Sequence, residues 1–166
     1  MEIQKCTKAN FDFILMNLND YWEVKEYDQE RYNTIKILHH PMMLFEFGSW
    51  AFTALIDNFV AAYLFGVLSF EMEEPHGYIH LIATHKNYKR QKLASKLFLH
   101  FETLARNQGC KYLKAITQSK NATSIAFHQN LGMQLLGEPN EEGIRVVKNY
   151  AGLFAGDRVV FHKSIQ

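Results

Sequence analysis

Cysteine is scarce in this chain of 166 residues: there are two, Cys6 and Cys110. They lie far apart and in no spacing that would ligate a metal. The pair His39-His40 has no partners at ligand spacing either, so no metal is expected. No Pro- or Gly-rich linker, internal repeat or low-complexity tract divides the sequence, and its length suits one domain over residues 1–166. An excess of either charge is also lacking, with 18 Lys plus Arg against 17 Asp plus Glu. A protein built on duplex nucleic acid draws most of its affinity from phosphate contacts and carries a basic surplus. No nucleic-acid partner is therefore expected, and a basic cluster should serve a small anion. Long hydrophobic runs are missing too. The longest, residues 59–70, is interrupted by Gly66 and is too short to span a bilayer. No basic-then-apolar N-terminus suggests a signal peptide, so the expectation is a cytoplasmic chain with no membrane contact.

What is present has an ordinary globular balance, 48% hydrophobic and 21% charged. Asn10 predicts an N-cap for a helix through Phe11, Ile14, Leu15 and Leu18. A more polar helix is expected over residues 26–38, closed by Pro41. From Trp50 the texture turns to β. A strand over 50–56, a tight turn at Asp57-Asn58 and a long strand over 59–70 read as a hairpin. Residues 78–84 look buried on both faces, as a strand near the centre of a sheet would be. A basic loop then leads into a helix over 93–108, with Leu93, Leu97, Phe101, Leu104 and Ala105 on one stripe and Gly109 as its stop. Strand 112–117, a short helix capped by Asn121 and ending at Gly132, and strand 158–163 complete a mixed α/β domain.

The chemistry-bearing segment is Tyr88-Lys89-Arg90-Gln91-Lys92-Leu93-Ala94-Ser95, a basic loop entering a helix straight after a strand. A helix N-terminus presents unpaired N–H groups and a positive dipole end, which suit a phosphate or pyrophosphate. Small Ala94 and Ser95 would allow close approach, and Lys89, Arg90 and Lys92 could add charge-assisted contacts. The bland alternative is a solvated basic surface.

This strand, loop and helix resemble the acyl-CoA pyrophosphate site of the GNAT acetyltransferases. There the loop runs Arg or Gln, two residues, Gly, one residue, then Gly or Ala. Lys89-Arg90-Gln91-Lys92-Leu93-Ala94 matches at its ends, with Lys92 in place of the family glycine. Helical dihedrals at Lys92 would make that exchange tolerable, because the position starts the helix. A second segment, Asn121 through Leu131-Gly132-Met133, is similar to the family's Asn, small-residue helix and Leu-Gly pattern. The resemblance runs from about Trp50 to Met133, and the last strand also fits.

The resemblance implies a mixed, mostly antiparallel sheet flanked by helices, with a splayed strand pair that holds acyl-CoA. It implies acetyl transfer from acetyl-CoA to a primary amine of a small molecule, amino acid or peptide, by direct attack in a ternary complex. Backbone groups of Ile82, Ala83 and Thr84 would pair with the pantetheine arm. The loop residues Lys89 to Ser95, including Gln91 and Leu93, with Asn121 would hold the cofactor. His128 occupies the position of the family's acid tyrosine, and His80 that of a glutamate base. Leu81 and Ile82 suggest a low-dielectric setting that would keep His80 neutral. Both histidines could instead be ordinary packed residues. The aromatics Tyr21, Trp22, Phe47, Trp50 and Phe52 line the acceptor cleft or belong to the core. Homodimers are common for this fold, and a sensor that binds acyl-CoA without turnover is the alternative to an enzyme.

Overall fold

The computed structural model describes residues 1–25, 27–41, 45, 50–71, 74–150 and 156–166. The chain forms two compact units. The first is Met1–Leu68 with His80–Thr103, and the second is Ser69–Ile79 with Leu104–Gln166.

The first unit opens with β1 (Glu2–Lys5), which pairs antiparallel with β2 (Trp50–Ile56). β1 was invisible to pattern reading because its four residues, Glu-Ile-Gln-Lys, carry one apolar side chain. Helix α1 (Lys8–Met16) is capped three positions earlier than expected, by Thr7 rather than Asn10. The Thr7 hydroxyl accepts from the Asn10 N–H at 3.2 Å, and Asn10 Oδ1 accepts from the Thr7 N–H at 3.1 Å. Asn10 is thus the reciprocal partner in a capping box, not the cap. The short α2 (Leu18–Trp22) follows and ends at Glu23, whose φ of 50° is left-handed. α3 (Gln29–Leu38) is capped by Asp28, so the second helix starts later than the expected 26; Glu26 lies outside the described residues.

β2 turns into β3 (Phe59–Ser69) through Asp57 and Asn58 at φ 50° and 63°. Two consecutive left-handed residues give the turn whose twist matches the strands it joins. The register runs from Trp50↔Gly66 to Ile56↔Phe59, with an irregularity between Ala54 and Leu55. Phe11, Ile14 and Leu18 of the helices pack into one cluster with Tyr21, Ile35, Val60, Tyr63, Phe65, Leu81 and Ala83. Burying each of these larger side chains contributes about 1.5–3 kcal/mol.

β4 (His76–Thr84) has neighbours on both sides, as the buried pattern predicted: β3 in the first unit and β5 (Tyr112–Thr117) in the second. The β4–β5 ladder is parallel and pairs His76–Ile79 with Tyr112–Ala115, while β4 runs on to Thr84. The β1–β2 and β2–β3 ladders are antiparallel, as are the remaining ladders of the second unit. The sheet is therefore mixed and mostly antiparallel, as expected. α4 (Leu93–Asn107) buries Leu93, Leu97, Phe98, Phe101 and Ala105, and ends before Gly109 at φ 85°.

In the second unit the strand order is β4, β5, β9 (Val159–Ser164) and β6 (Gln134–Leu135). α5 (Ala122–Asn130) precedes β6, and the hairpin β7 (Glu138–Pro139) and β8 (Arg145–Val146) precedes β9. Leu113, Ala115, Val160 and Phe161 are buried here. No helix among the described residues is long and apolar enough to cross a membrane.

Candidate active site

After β4 the chain makes a single 3-10 turn, Lys86–Tyr88, and then the loop Lys89–Lys92 that opens α4. The Lys96 N–H bonds the Lys92 carbonyl at 3.0 Å, so Lys92 is the cap of α4 rather than its first helical residue. Its backbone is left-handed, φ 59°, and Arg90 is left-handed too, φ 62°. The expected helical conformation at Lys92 is therefore corrected: the chain keeps a glycine-type bend without a glycine. Each left-handed residue with a side chain costs roughly 1–2 kcal/mol. Alternating left-handed residues at a helix start turn successive N–H groups to one side, an arrangement that suits an anion. The N–H groups of Leu93, Ala94 and Ser95 fall in the first turn, where no intrahelical acceptor exists. Arg90, Gln91 and Lys92 are exposed, and Ala94 and Ser95 are half-buried.

Lys89 is differently placed. Its ammonium pairs with the Glu23 carboxylate at the end of α2. Lys86 Nζ likewise reaches Asp20 Oδ1 at 2.6 Å. The hydrogen bond from Lys86 holds the Asp20 carboxyl below the usual carboxylate range. Between these pairs the buried His85 lies 3.5 Å from Asp20 Oδ2 and edge-on to Tyr21 and Phe59. Its Nδ1 accepts from the Asn87 N–H at 3.3 Å, which leaves the ring proton on Nε2, facing Asp20. The basic loop is thus clamped to α2 through Asp20 and Glu23. Sequence reasoning missed this clamp, since nothing in the spacing of Asp20 and Glu23 pointed to a loop some 65 residues on.

His80 is half-buried on β4. Its Nε2 lies 2.9 Å from the Leu38 carbonyl, so the proton is on Nε2 and the neutral ring's lone pair is on Nδ1. It lines a small cavity of about 10 Å³, together with Leu38, His39, His40, Phe65, Gly66 and Val67. That volume holds about one water molecule. His39, set aside in the sequence, is 2% exposed in the wall of this cavity. Its Nδ1–H donates to the Ile35 carbonyl at 2.7 Å, and its Nε2 accepts from the Tyr63 hydroxyl at 2.7 Å. Tyr63 in turn accepts from Trp22 Nε1–H at 2.6 Å. Burial pushes His39 down to about 4, and it pushes the Tyr63 phenol well above its ordinary value.

The other aromatics divide. Tyr21 and Phe52 are core, Trp22 serves Tyr63, Trp50 carries Lys5 over its ring, and Phe47 lies outside the described residues. Ile82 and Thr84 are half-buried and Ala83 is buried on the continuation of β4.

Asn121 and His128 belong to the second unit. Asn121 caps α5, with Oδ1 accepting from the Ser124 N–H at 3.2 Å and Nδ2 donating to Thr117 Oγ1 at 3.0 Å. His128 is 4% exposed. Its Nδ1–H donates to the Ser124 carbonyl at 2.8 Å, and its ring stacks on Phe161 at 4.5 Å. Burial lowers its pKa, so the ring is neutral near pH 7. A neutral imidazole whose proton is directed at a helix carbonyl is poorly suited to be the acid expected of it.

Comparisons with known proteins agree with this architecture. No curated protein matches the sequence. Among solved structures, a putative GNAT-family acetyltransferase from Desulfovibrio desulfuricans superposes with a TM-score of 0.73 at 14% identity, over 99% of each chain. Aminoglycoside 6'-acetyltransferase type Ii gives 0.72 at 15% identity, over 100% of this chain and 98% of that one. The ribosomal-protein-S18-alanine N-acetyltransferase of Escherichia coli gives 0.69 at 16% identity, over 99% and 94%. At such identities the structures speak to the fold alone, but the acetyltransferase (GNAT) family model matches residues 13–133 of the sequence itself. The chain belongs to the GNAT acetyltransferases, enzymes that use acetyl-CoA to acetylate amine acceptors.

Proposed function

We propose that this protein is a single acetyltransferase domain that moves the acetyl group of acetyl-CoA onto a primary amine by direct attack. The observation that carries the cofactor half is the loop before α4, where Arg90 and Lys92 hold left-handed backbone at an exposed, basic helix start. Strain of that kind persists only where the surroundings impose it, and it clusters at ligand sites. The residues fit a pyrophosphate: the N–H groups of the first turn of α4 supply donors, and Arg90 and Lys92 supply charge. Lys89 and Lys86 hold the loop to α2 and contribute less to the phosphates. The backbone of Ile82, Ala83 and Thr84 is the proposed edge for the pantetheine arm and the thioester oxygen. Asn121 keeps its capping role.

On the acceptor side, His80 is the proposed base. The ammonium gives its proton to His80 Nδ1, the freed amine attacks the thioester carbon, the carbon–sulfur bond breaks, and the proton left on the new amide nitrogen passes to the departing thiolate to give the amide and the CoA thiol. The cavity beside His80, with room for about one water molecule, is of a size to take an amine head. The acceptor class is a small-molecule, amino-acid or peptide amine.

Calorimetric titration with acetyl-CoA tests the cofactor half, with binding tighter than about 0.1 mM expected. A panel of benzylamine, lysine, an aminoglycoside and short peptides with free N-termini then tests turnover, with His80→Gln expected to slow the best acceptor by about 100-fold or more. Binding without turnover of any amine would favour a sensor. No binding would end the enzyme reading.

A further inference from the structure

His80 acts as a base only if its proton stays on Nε2, and the groups that keep it there are not on its own strand. The Leu38 carbonyl that accepts from His80 is the last of α3, one of the four at a helix end with no intrahelical partner. Its direction is set by the peptide plane joining Leu38 to His39. That plane is fixed from the other side, because the His39 ring is pinned at both nitrogens. Nδ1–H reaches back one turn to Ile35 at 2.7 Å, and Nε2 takes the Tyr63 proton at 2.7 Å. Tyr63 is fully buried on β3 and is held by Trp22 at 2.6 Å. Phe65 and Trp22 close on the His39 ring edge-on, at 5.8 and 6.0 Å.

We propose that Tyr63 and His39 are positioning residues for the base: by locking the end of α3 they aim the Leu38 carbonyl at His80 Nε2 and so keep the basic lone pair on Nδ1. This rests on the assignment of His80 as base. When the acceptor ammonium loses its proton, the N–H bond breaks there and a new one forms at Nδ1. The ring then carries both protons and a positive charge, which lies against the negative end of the α3 dipole. The titratable groups sharing the cavity wall are His39 and His40. Burial first, and the neighbouring His80 imidazole after it, disfavour charge on His39.

The test combines imidazole ¹⁵N NMR of His80 with kinetics on the best acceptor of the amine panel, for wild type, Tyr63→Phe, His39→Ala and His39→Gln. Wild-type His80 should show a single Nε2–H tautomer. Tyr63→Phe and His39→Ala should mix the tautomers and lower kcat on the order of 10-fold, with the acetyl-CoA affinity changed less than about 2-fold. His39→Gln should restore both, since its amide can donate to Ile35 and accept from Tyr63. An unchanged His80 tautomer in folded Tyr63→Phe overturns the positioning role, even if His39→Ala fails to fold. Wild-type kcat in His80→Gln overturns the base assignment instead, and the tautomer spectra still decide whether the lock exists.

Discussion

Arg90 and Lys92 both hold left-handed backbone, at φ 62° and 59°, on either side of Gln91. The side-chain penalty at such a position, about 1–2 kcal/mol, exceeds the entropic cost of glycine, about 0.5–1 kcal/mol. Lys92→Gly should therefore stabilise the protein by about 0.5–1 kcal/mol in urea unfolding, while weakening acetyl-CoA binding through loss of the ammonium. Opposite signs on stability and affinity are the mark of strain kept for a ligand. A destabilised variant would mean that Lys92 is not strained.

The cations of the loop should prove unequal. Arg90 is exposed, whereas Lys89 is paired with Glu23. In calorimetric titrations, Arg90→Ala should weaken acetyl-CoA binding by roughly 10-fold and Lys89→Ala by no more than about 3-fold. Stability should barely move in Lys89→Ala, since exposed pairs contribute about 0–1 kcal/mol. Equal losses in the two variants would restore Lys89 as a phosphate ligand.

His128 should prove structural. Its proton is directed at the Ser124 carbonyl and its ring stacks on Phe161. His128→Phe should cost roughly 1–3 kcal/mol of stability through the lost hydrogen bond and changed packing, with kcat within about threefold of wild type. A fall of two orders of magnitude in kcat at constant stability would return the acid role to it.

Acid should destabilise the fold through His39. Its folded pKa, about 4, lies below the ordinary 6.5, so the unfolded chain binds the proton more readily. The stability it contributes is complete above pH 6.5 and is lost as pH falls towards 4, on the order of 3 kcal/mol in all. His128, shifted in the same direction, adds to this loss. Urea unfolding at pH 7 and pH 5 should show a smaller pH difference in His39→Gln than in wild type. Equal differences would mean that His39 titrates normally.

Much of the framework was legible because it rests on local rules. The hairpin at Asp57-Asn58, the stripe of α4 with its stop at Gly109, and the Asn121 cap each follow from a few neighbouring residues. β1 and α2 were not legible, being too short and too polar to show a period. Asn10 misled because a capping box uses two polar residues, and spacing alone does not say which of them is the cap.

The sequence by itself determined the mixed α/β order, the family resemblance and the basic helix start, since all three depend on residue type and short spacing. Tertiary structure alone decided the rest. Lys89 met Glu23, His39 met Tyr63, and His80 met Leu38 across separations of 66, 24 and 42 residues. Which cation is spent on a carboxylate, and which imidazole nitrogen keeps its proton, depends on the partner brought within about 3 Å. No local pattern encodes that partner.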